Sequence, residues 1–302
     1  MSMPTIAHAT IEVRNPQRFR RWLDTLTDGK ARVAGDESTA GGALRITEGP
    51  CDDLVALAFD YPTDSALDAA LLRLADANHP CQEVVVDGRR TVRSHDPLGT
   101  EVQLRVARPQ ASDGRWPVNH VAFADDDPQR VEAFYGALLG FRCNERIATR
   151  IGPLNVRGSF LGSAHQHHTV AALNIPARRR LHHLCIDPGD VADVVERWHE
   201  AKAAGLSMAN QLGRHPLPDG TTSFYALSPA GFDVEVGAGG NVLDGSDLDE
   251  PFQTDTPSSW GHNPGPRAAL RLLMVLLRRA LPGGKKRVPR GRPLLVEGAA
   301  KG

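Results

Sequence analysis

SPAGFDVEV, at residues 228–236, occurs a second time in the chain in altered form. DPLGTEVQL, at residues 96–104, aligns with it position for position and places Gln103 on Glu235. Similarity between segments of one chain indicates a repeated structural unit. IAHATI aligns with VNHVAF in the same way, so that His8 falls on His120.

The complete repeat predicts the fold class. Residues 55–60 align with residues 182–187, which places Ala56 on His183. Alternating apolar segments predict strands, and segments such as SALDAALLRLADANH, with leucines on one face, predict helices. We therefore predict an α+β protein of four βαβββ modules. A module this small cannot bury both faces alone, so pairs of modules should form two open, barrel-like sheets with helices outside.

The composition shifts give the predicted domain boundaries. We assign residues 1–107 to an N-terminal domain, the polar segment 108–117 to a linker, 118–245 to a C-terminal domain and 246–302 to a tail. The tail contains a short apolar helix at 266–281 and a basic segment. This helix could pack on a neighbouring subunit or the first domain, or contact a membrane peripherally. We favour packing, because the segment is short.

Charge and cysteine content limit which binding partners and which cellular compartment we expect. The net charge of the 302 residues is −1, so we expect neither nucleic acid nor a membrane as a partner. The four cysteines show no CxxC spacing, which favours reduced thiols and a cytoplasmic protein. The N-terminus shows no basic segment followed by an apolar one, so we expect no signal peptide.

Three aligned positions predict a metal site. His120, His183 and Glu235 lie on predicted strands of the second domain. Two imidazoles and one carboxylate, with other coordination positions open, form the ligand set of non-haem Fe(II) oxygenases. The first domain has an imidazole, a methyl group and a neutral amide at these positions and cannot hold such a metal. We predict one metal per chain, in the second domain.

Each of these residues also has a simpler interpretation. A single histidine on a strand is usually structural, and Asp233 shares a strand face with Glu235. His182 and His183 are adjacent and point to opposite faces of a strand. The repeat selects His183 as the ligand and leaves His182 outside the site.

The second half resembles the type I extradiol catechol dioxygenases of the vicinal oxygen chelate superfamily, which includes enzymes that cleave 2,3-dihydroxybiphenyl. The resemblance covers about residues 5–262. Six motifs in order support it: VNHVAF, AHQHHTVAAL (164–173), LHHLCI (181–186), LGRHPLPDG (212–220), SFYALSPAGFDVEVG (223–237) and SSWGH (258–262).

The resemblance implies a role for each matching residue. His120, His183 and Glu235 match the iron ligands, with Mn(II) as an alternative metal. His168 matches the acid/base histidine, and His167 lies beside it. Without the other motifs, these two histidines could belong to an exposed polar turn.

Three further residues match substrate-contacting or supporting positions. His215 matches a histidine that hydrogen-bonds the substrate hydroxyl, and Tyr225 matches a tyrosine that contacts the catecholate oxygen, although Tyr225 could be plain core. Asp219 matches a supporting aspartate. The family often has a histidine after that aspartate, where this chain has Gly220. This difference leaves the pocket rim and the substrate size open.

The resemblance implies ring cleavage beside the diol of a catechol, 3-substituted or bicyclic, with O2 as co-substrate and a ring-opened semialdehyde as product. It also implies a homo-oligomer. Two other classes remain alternatives on the same fold. One is a metal-free or vestigial protein that binds or sequesters aromatic compounds. The other is a glyoxalase or epimerase, for which we expect an additional carboxylate ligand.

Overall fold

The structure is a computed structural model of the chain. It describes residues 4–34, 41–86, 88–108, 113–152, 154–163, 166–177, 179–243 and 250–280. The predicted linker 108–117 lies partly, and the basic segment after the last helix wholly, outside the described residues.

The first half of the chain forms one sheet. Its strands are β1 (Thr5–Val13), β2 (Ala43–Glu48), β3 (Asp53–Tyr61), β4 (Cys81–Val86), β5 (Arg89–His95) and β6 (Glu101–Val106). Their order across the sheet is β2-β1-β3-β6-β5-β4. Two helices accompany them, α1 (Pro16–Thr27) and α2 (Asp64–Asp76). Both helices begin at a side-chain cap, since Asn15 accepts from the backbone N–H of Arg18 and Thr63 from that of Ala66.

The second half forms a larger sheet. Its strands are β7 (Val118–Ala124), β8 (Arg142–Ile151), β9 (Leu154–Gly162), β10 (Val170–Leu173), β11 (Leu181–Ile186), β12 (Met208–Arg214), β13 (Thr222–Leu227), β14 (Asp233–Ala238), β15 (Phe252–Thr254) and β16 (Trp260–Gly261). Their order is β15-β8-β9-β10-β7-β11-β14-β13-β12-β16. Its helices are α3 (Pro128–Glu132), which continues as a π-helical turn over Ala133–Leu138, α4 (Val191–Ala203) and α5 (Pro266–Ala280). These two open sheets and few helices confirm the predicted α+β fold class.

The strand registers reproduce the alignment of the repeat. In the second sheet, His120 pairs with Cys185, and Cys185 pairs with Glu235. In the first sheet, His8 pairs with Ala58, and Ala58 pairs with Gln103. The same residues of each repeat therefore occupy the same positions in the two sheets.

The first module is shorter than the predicted βαβββ pattern. Between α1 and β2 the described residues form only isolated bridges, at Ala31 with Trp116 and at Val33 with Leu44, and residues 35–40 lie outside the description. In the third module, β10 pairs in parallel with β7, as β2 does with β1. Among the described residues, the first module thus keeps its first and last strands.

The two halves share one continuous apolar core, although each has its own sheet. Phe19 of α1 packs against Phe232, with ring centroids 5.7 Å apart, and the Tyr61 hydroxyl donates to the Leu139 carbonyl at 2.8 Å. Arg180 is buried and joins the halves by hydrogen bonds to Asp53 at 3.3 Å and to two backbone carbonyls. The separate sheets support the proposed division into two domains, whose exact boundaries stay a prediction.

A segment near the end of the chain connects the two edges of the second sheet. We call residues 252–261 the closing segment. Its first part, β15, pairs with β8 at one edge, and its last part, β16, pairs with β12 at the other. Six residue steps separate Thr254 from Trp260 and span at most about 20 Å. The ten-stranded sheet must therefore curve until its edges come this close.

Candidate active site

His120, His183 and Glu235 meet inside the curved second sheet. They lie on β7, β11 and β14, which are adjacent in the sheet, and all three are buried. Oε2 of Glu235 lies 3.0 Å from Nε2 of His120 and 3.4 Å from Nε2 of His183. The sheet therefore places the rings of His120 and His183 beside the same carboxylate oxygen of Glu235.

The hydrogen bonds around His120 leave room for a cation. The amide of Asn119 donates to Asp187 at 3.0 Å and directs its oxygen to Nδ1 of His120, also at 3.0 Å. Nδ1 can therefore donate to Asn119, which leaves Nε2 facing the carboxylate of Glu235 at 3.0 Å. Two electron pairs at this distance repel each other unless a proton or a metal ion lies near both.

The charge states also fit a metal ion. Burial would raise the pKa of the Glu235 carboxyl, but the imidazoles of His120 and His215 hold that pKa well below its usual range. Burial lowers the pKa of His183 well below its usual value, so this imidazole is neutral. Oε1 of Glu235 is buried and has no hydrogen-bond partner. Deprotonated ligands and a free carboxylate oxygen are what a divalent metal requires.

Cys185 lies in the same group, and the sequence analysis did not select it. Donor atoms of His120, Cys185 and Glu235 lie within 4.8 Å of one another. His183 contacts this group at Glu235, where its Nε2 lies 3.4 Å from Oε2. Burial raises the pKa of the Cys185 thiol well above its usual value, which disfavours the thiolate form that binds metals. Strand alternation could have identified it, because residues two apart share a face.

His168 lies directly beside the three candidate ligands. Its ring centroid is 4.0 Å from that of His120, and Phe160 packs on its other side at 5.1 Å. Its Nδ1 is 2.9 Å from Nδ1 of His167. Burial, and then the neighbouring imidazoles, lower the pKa of His168 well below its usual value. His168 is therefore a neutral imidazole at the edge of the candidate metal centre.

His167 connects His168 to two carboxylates. Oε2 of Glu145 lies 2.9 Å from Nε2 of His167, although the atoms are not aligned for a hydrogen bond. Oδ2 of Asp219 lies 3.9 Å from Nδ1 of His167. The sequence analysis missed Glu145. Its position two residues before buried Ile147 on β8 could have indicated an inward-facing acid.

His215 and Tyr225 form the opposite wall. Nε2 of His215 lies 3.0 Å from the Tyr225 hydroxyl and 3.7 Å from Oε1 of Glu235. Burial would lower the pKa of His215, but the Glu235 and Asp219 carboxylates outweigh it and raise that pKa to about 9. Burial raises the pKa of Tyr225 well above its usual value, so the phenol keeps its proton.

The closing segment holds this wall in place. Nδ1 of His215 donates to the carbonyl of Pro257 at 2.9 Å. The ring of His262, the residue after the closing segment, lies 4.6 Å from that of His215, and Ser258 contacts its Nδ1 at 2.7 Å. Residues far along the chain therefore orient a side chain beside Glu235.

His182 lies next to His183 but outside the ligand group. Its Nδ1 is 2.7 Å from Nδ1 of His183, at a bulge where β11 pairs with β7. Asp233, the other acid on the face of Glu235, instead receives two hydrogen bonds from Arg271, at 2.8 and 2.9 Å. These contacts distinguish Glu235 from Asp233, which strand alternation alone could not do.

The matching position in the first sheet is surrounded by positive charge. His8 is buried, and burial followed by the charges of Arg45, Arg105 and Arg89 lowers its pKa to about 3. The amide of Gln103 donates to Glu101 at 2.6 Å. Two of these arginines, Arg89 and Arg105, also pair with the buried Asp60. That the metal is in the second half only stays a prediction.

Comparisons with known proteins show what this part of the chain is similar to. The model of the Glyoxalase/Bleomycin resistance protein/Dioxygenase superfamily matches residues 118–236. This part of the chain is similar to that superfamily. The match begins with β7 and ends in β14, so it includes all three candidate ligands.

Two named relatives are both dioxygenases. A biphenyl-2,3-diol 1,2-dioxygenase of Paraburkholderia xenovorans is 33% identical over 150 residues, 49% of each chain. An iron-dependent extradiol dioxygenase of Rhodococcus jostii is 29% identical over 160 residues, 50% of this chain and 52% of the relative. The chain thus spans about half the length of these two relatives.

The fold similarity extends further along the chain. The crystal structure of 2,2',3-trihydroxybiphenyl 1,2-dioxygenase from Sphingomonas wittichii superimposes with a TM-score of 0.71 at 22% identity. It covers 87% of this chain and 100% of that chain. The resemblance to extradiol dioxygenases of the superfamily, predicted from six motifs, is confirmed.

Proposed function

We propose that the protein is an extradiol ring-cleavage dioxygenase that acts on a catechol with O2. The observation that supports this most strongly is the meeting of His120, His183 and Glu235 at one buried carboxylate oxygen, with His168 in ring contact with His120. The names of the relatives support the same reaction, and they favour a bicyclic or 3-substituted catechol. A ring-opened semialdehyde is the expected product.

The proposed metal is Fe(II), with Mn(II) as the alternative. His120, His183 and Glu235 would hold it, and Oε1 of Glu235 has a free electron pair to offer. When bound, Fe(II) supplies a centre at which an electron-rich catecholate can transfer electrons to dioxygen. The name of the Rhodococcus jostii relative supports iron.

The surrounding residues would orient the catechol and handle its protons. Nε2 of His215 and the hydroxyl of Tyr225 point to the same region as Glu235, where they can hydrogen-bond a substrate oxygen. Phe160 offers an aromatic face beside His168. A bound ring would displace water from this enclosed region, which strengthens each of these polar contacts.

His168 is the proposed acid/base residue, and it exchanges its proton at Nε2. Its Nδ1 is engaged with His167, so Nε2 is the atom left to face the substrate. Its lowered pKa keeps it neutral before the reaction, so it can accept a proton from the catechol and return it later. A positioned group of this kind contributes roughly 10²–10⁴-fold to the rate. We propose that His167, which lies between Glu145 and Asp219, supports the substrate-facing side of the site. Asp219 is proposed to do the same.

The test is a panel of catechols mixed with anaerobically iron-loaded protein. We expect O2 uptake and a yellow product from 2,3-dihydroxybiphenyl or 3-methylcatechol. Folded protein that holds iron but consumes no O2 with any catechol would contradict the proposal. Protein that binds catechols tightly but takes up no metal would instead indicate the metal-free aromatic-binding class. Loading with Mn(II) in parallel distinguishes the two metals by rate.

We also propose a cytoplasmic location and a homo-oligomer. The four cysteines are free, which supports a reducing compartment. The oligomer stays a prediction that light scattering on the full chain can test.

A further inference from the structure

Helix α5 presents its apolar face away from the protein. Four large apolar side chains are exposed, Leu270, Leu273, Met274 and Leu277, at 47% to 58% of their full area. Their i, i+3, i+4, i+7 spacing places them on one face. An ordinary surface helix buries such a face against the core, whereas the described residues leave this face of α5 exposed.

Polar contacts hold the helix in this orientation. The guanidinium of Arg271 makes two hydrogen bonds to the carboxylate of Asp233 on β14. Arg267 donates to the Ser207 hydroxyl at 2.6 Å, and the backbone N–H of Gly265 donates to the Ala209 carbonyl at 2.9 Å. The helix therefore rests on β12 and β14 of the second half of the chain, rather than on the first domain, which was one of the alternatives that the sequence left open.

The sequence from α5 onward carries a positive net charge, and the sequence before it carries a negative one. Residues 266–302 contain ten of the 35 Lys and Arg residues and one of the 36 Asp and Glu residues. Their net charge is therefore +9, and residues 1–265, with 25 basic and 35 acidic residues, have −10. The overall charge of −1, from which we expected no membrane, conceals this division.

We propose that the outward face of α5 is a docking surface for an anionic lipid bilayer, and that the charge of the basic sequence after the helix strengthens the attraction. The outward leucines would enter the boundary between headgroups and acyl chains, and the basic residues would pair with anionic headgroups. None of the described helices is long and apolar enough to cross a membrane, so the contact is peripheral.

Charge favours a lipid surface over a second copy of the helix. Two copies of α5 packed through their leucines would bring two segments of +9 together, and the resulting repulsion opposes that pairing. An anionic bilayer instead attracts the same charge and also offers an apolar phase. The proposal does not depend on catechol chemistry.

The experiment is vesicle flotation of the full chain. Vesicles of phosphatidylcholine alone are compared with equal parts of phosphatidylcholine and phosphatidylglycerol, at low and high salt. We expect at least about tenfold stronger binding to the anionic vesicles, and weaker binding at high salt. Equal binding to both kinds of vesicle, or none to either, would overturn the proposal.

Variants locate the surface. The double variant Leu273→Gln with Leu277→Gln should lose roughly tenfold in binding to anionic vesicles. The matched control is Leu72→Gln, which changes a leucine that is 65% exposed on α2, and it should bind as the parent does. Equal losses in both variants would overturn the assignment to α5. Circular dichroism checks that each variant keeps its helical content.

Two further measurements distinguish a lipid surface from the two other occupants of this face, the tail of the same chain and a second copy of the helix. A chain ending at Leu281 lacks the basic sequence and should bind anionic vesicles at least about tenfold less. Stronger binding by this shortened chain would mean that the tail covers the leucines, which would overturn the proposal. Concentration-dependent association in light scattering, lost in the double variant and without vesicle binding, would assign the face to a second copy.

Discussion

Oε2 of Glu145 lies 2.9 Å from Nε2 of His167, and both side chains are buried. The other ring nitrogen of His167 contacts His168, whose ring lies 4.0 Å from His120. A carboxylate on β8 thus reaches the candidate metal centre through two imidazoles. A carboxylate behind an imidazole fixes the orientation of its ring.

Replacing Glu145 by Gln should lower kcat by about tenfold or more, with iron content and KM little changed. The reason is that the neutral amide no longer holds His167, and through it His168, in one orientation. Steady-state kinetics on iron-loaded protein measure the split between kcat and KM. The matched control is Glu132→Gln, since Glu132 pairs with Arg146 near the surface. A parental kcat in Glu145→Gln would refute the positioning role.

Replacing His183 by Ala should abolish stoichiometric iron binding, because the change removes a ligand. His182→Ala should weaken iron binding by at most about 10–100-fold, because His182 contacts the ligand ring at 2.7 Å without facing the centre. Metal analysis after anaerobic loading and desalting measures both. The reverse ranking of the two variants would show that the assigned register of β11 is wrong.

His8 should make the protein less stable in mild acid. Its pKa is about 3 in the folded protein and 6.5 when unfolded, so only the unfolded chain takes up a proton between these values. The stability that depends on neutral His8 is complete above pH 6.5 and is lost as the pH falls toward 3. At pH 5 the loss is about 2 kcal/mol.

Urea unfolding at pH 7 and pH 5 measures this effect. His8→Gln should lose about 2 kcal/mol less than the parent between the two pH values. His199→Gln, on the surface of α4, serves as the control and should behave as the parent does. If His8→Gln shows the parental pH dependence, His8 is protonated in the folded protein and the arginines around it do not act as described.

Replacing Arg180 by Ala should destabilise the protein by about 3–5 kcal/mol, because the change leaves the buried Asp53 without its charged partner. Arg146→Ala, which removes a pair near the surface, should cost at most about 1 kcal/mol. Urea unfolding at neutral pH measures both. Equal small losses would mean that Arg180 does not secure the junction of the two halves.

The repeat made much of the fold and the ligand triad predictable. His120, His183 and Glu235 could be chosen because each has an aligned counterpart and two of these counterparts, Ala56 and Gln103, are degenerate. The strand pairings of Ala58 and Cys185 reproduce that alignment. A residue that is present in only one copy gives no such contrast. Glu145 was missed for this reason. Cys185 has an aligned counterpart in Ala58, and it becomes visible only through its neighbours in space.

The tail was the least predictable part. Its helix was found from its apolar periodicity, but periodicity does not say which face meets the protein. The contact between Arg271 and Asp233 decides this, and the two residues are 38 apart in sequence. The first module also has fewer strands among the described residues than the repeat predicted. The alignment did not reveal this difference, because the aligned segments are the outer strands of the module and not the central ones.

The closing segment has a consequence for any fragment of this protein. Residues 118–236 contain all three candidate ligands, yet the carbonyl that orients His215 comes from Pro257. A fragment that stops at residue 250 would keep the three candidate iron ligands. It would lose the Pro257 carbonyl and with it the contact that orients His215 toward a substrate. During synthesis on the ribosome, the same order holds. If the proposed function holds, the nascent chain would acquire metal before it could bind catechol productively, and catalytic competence would arrive only once Pro257 and the rest of the closing segment have been made.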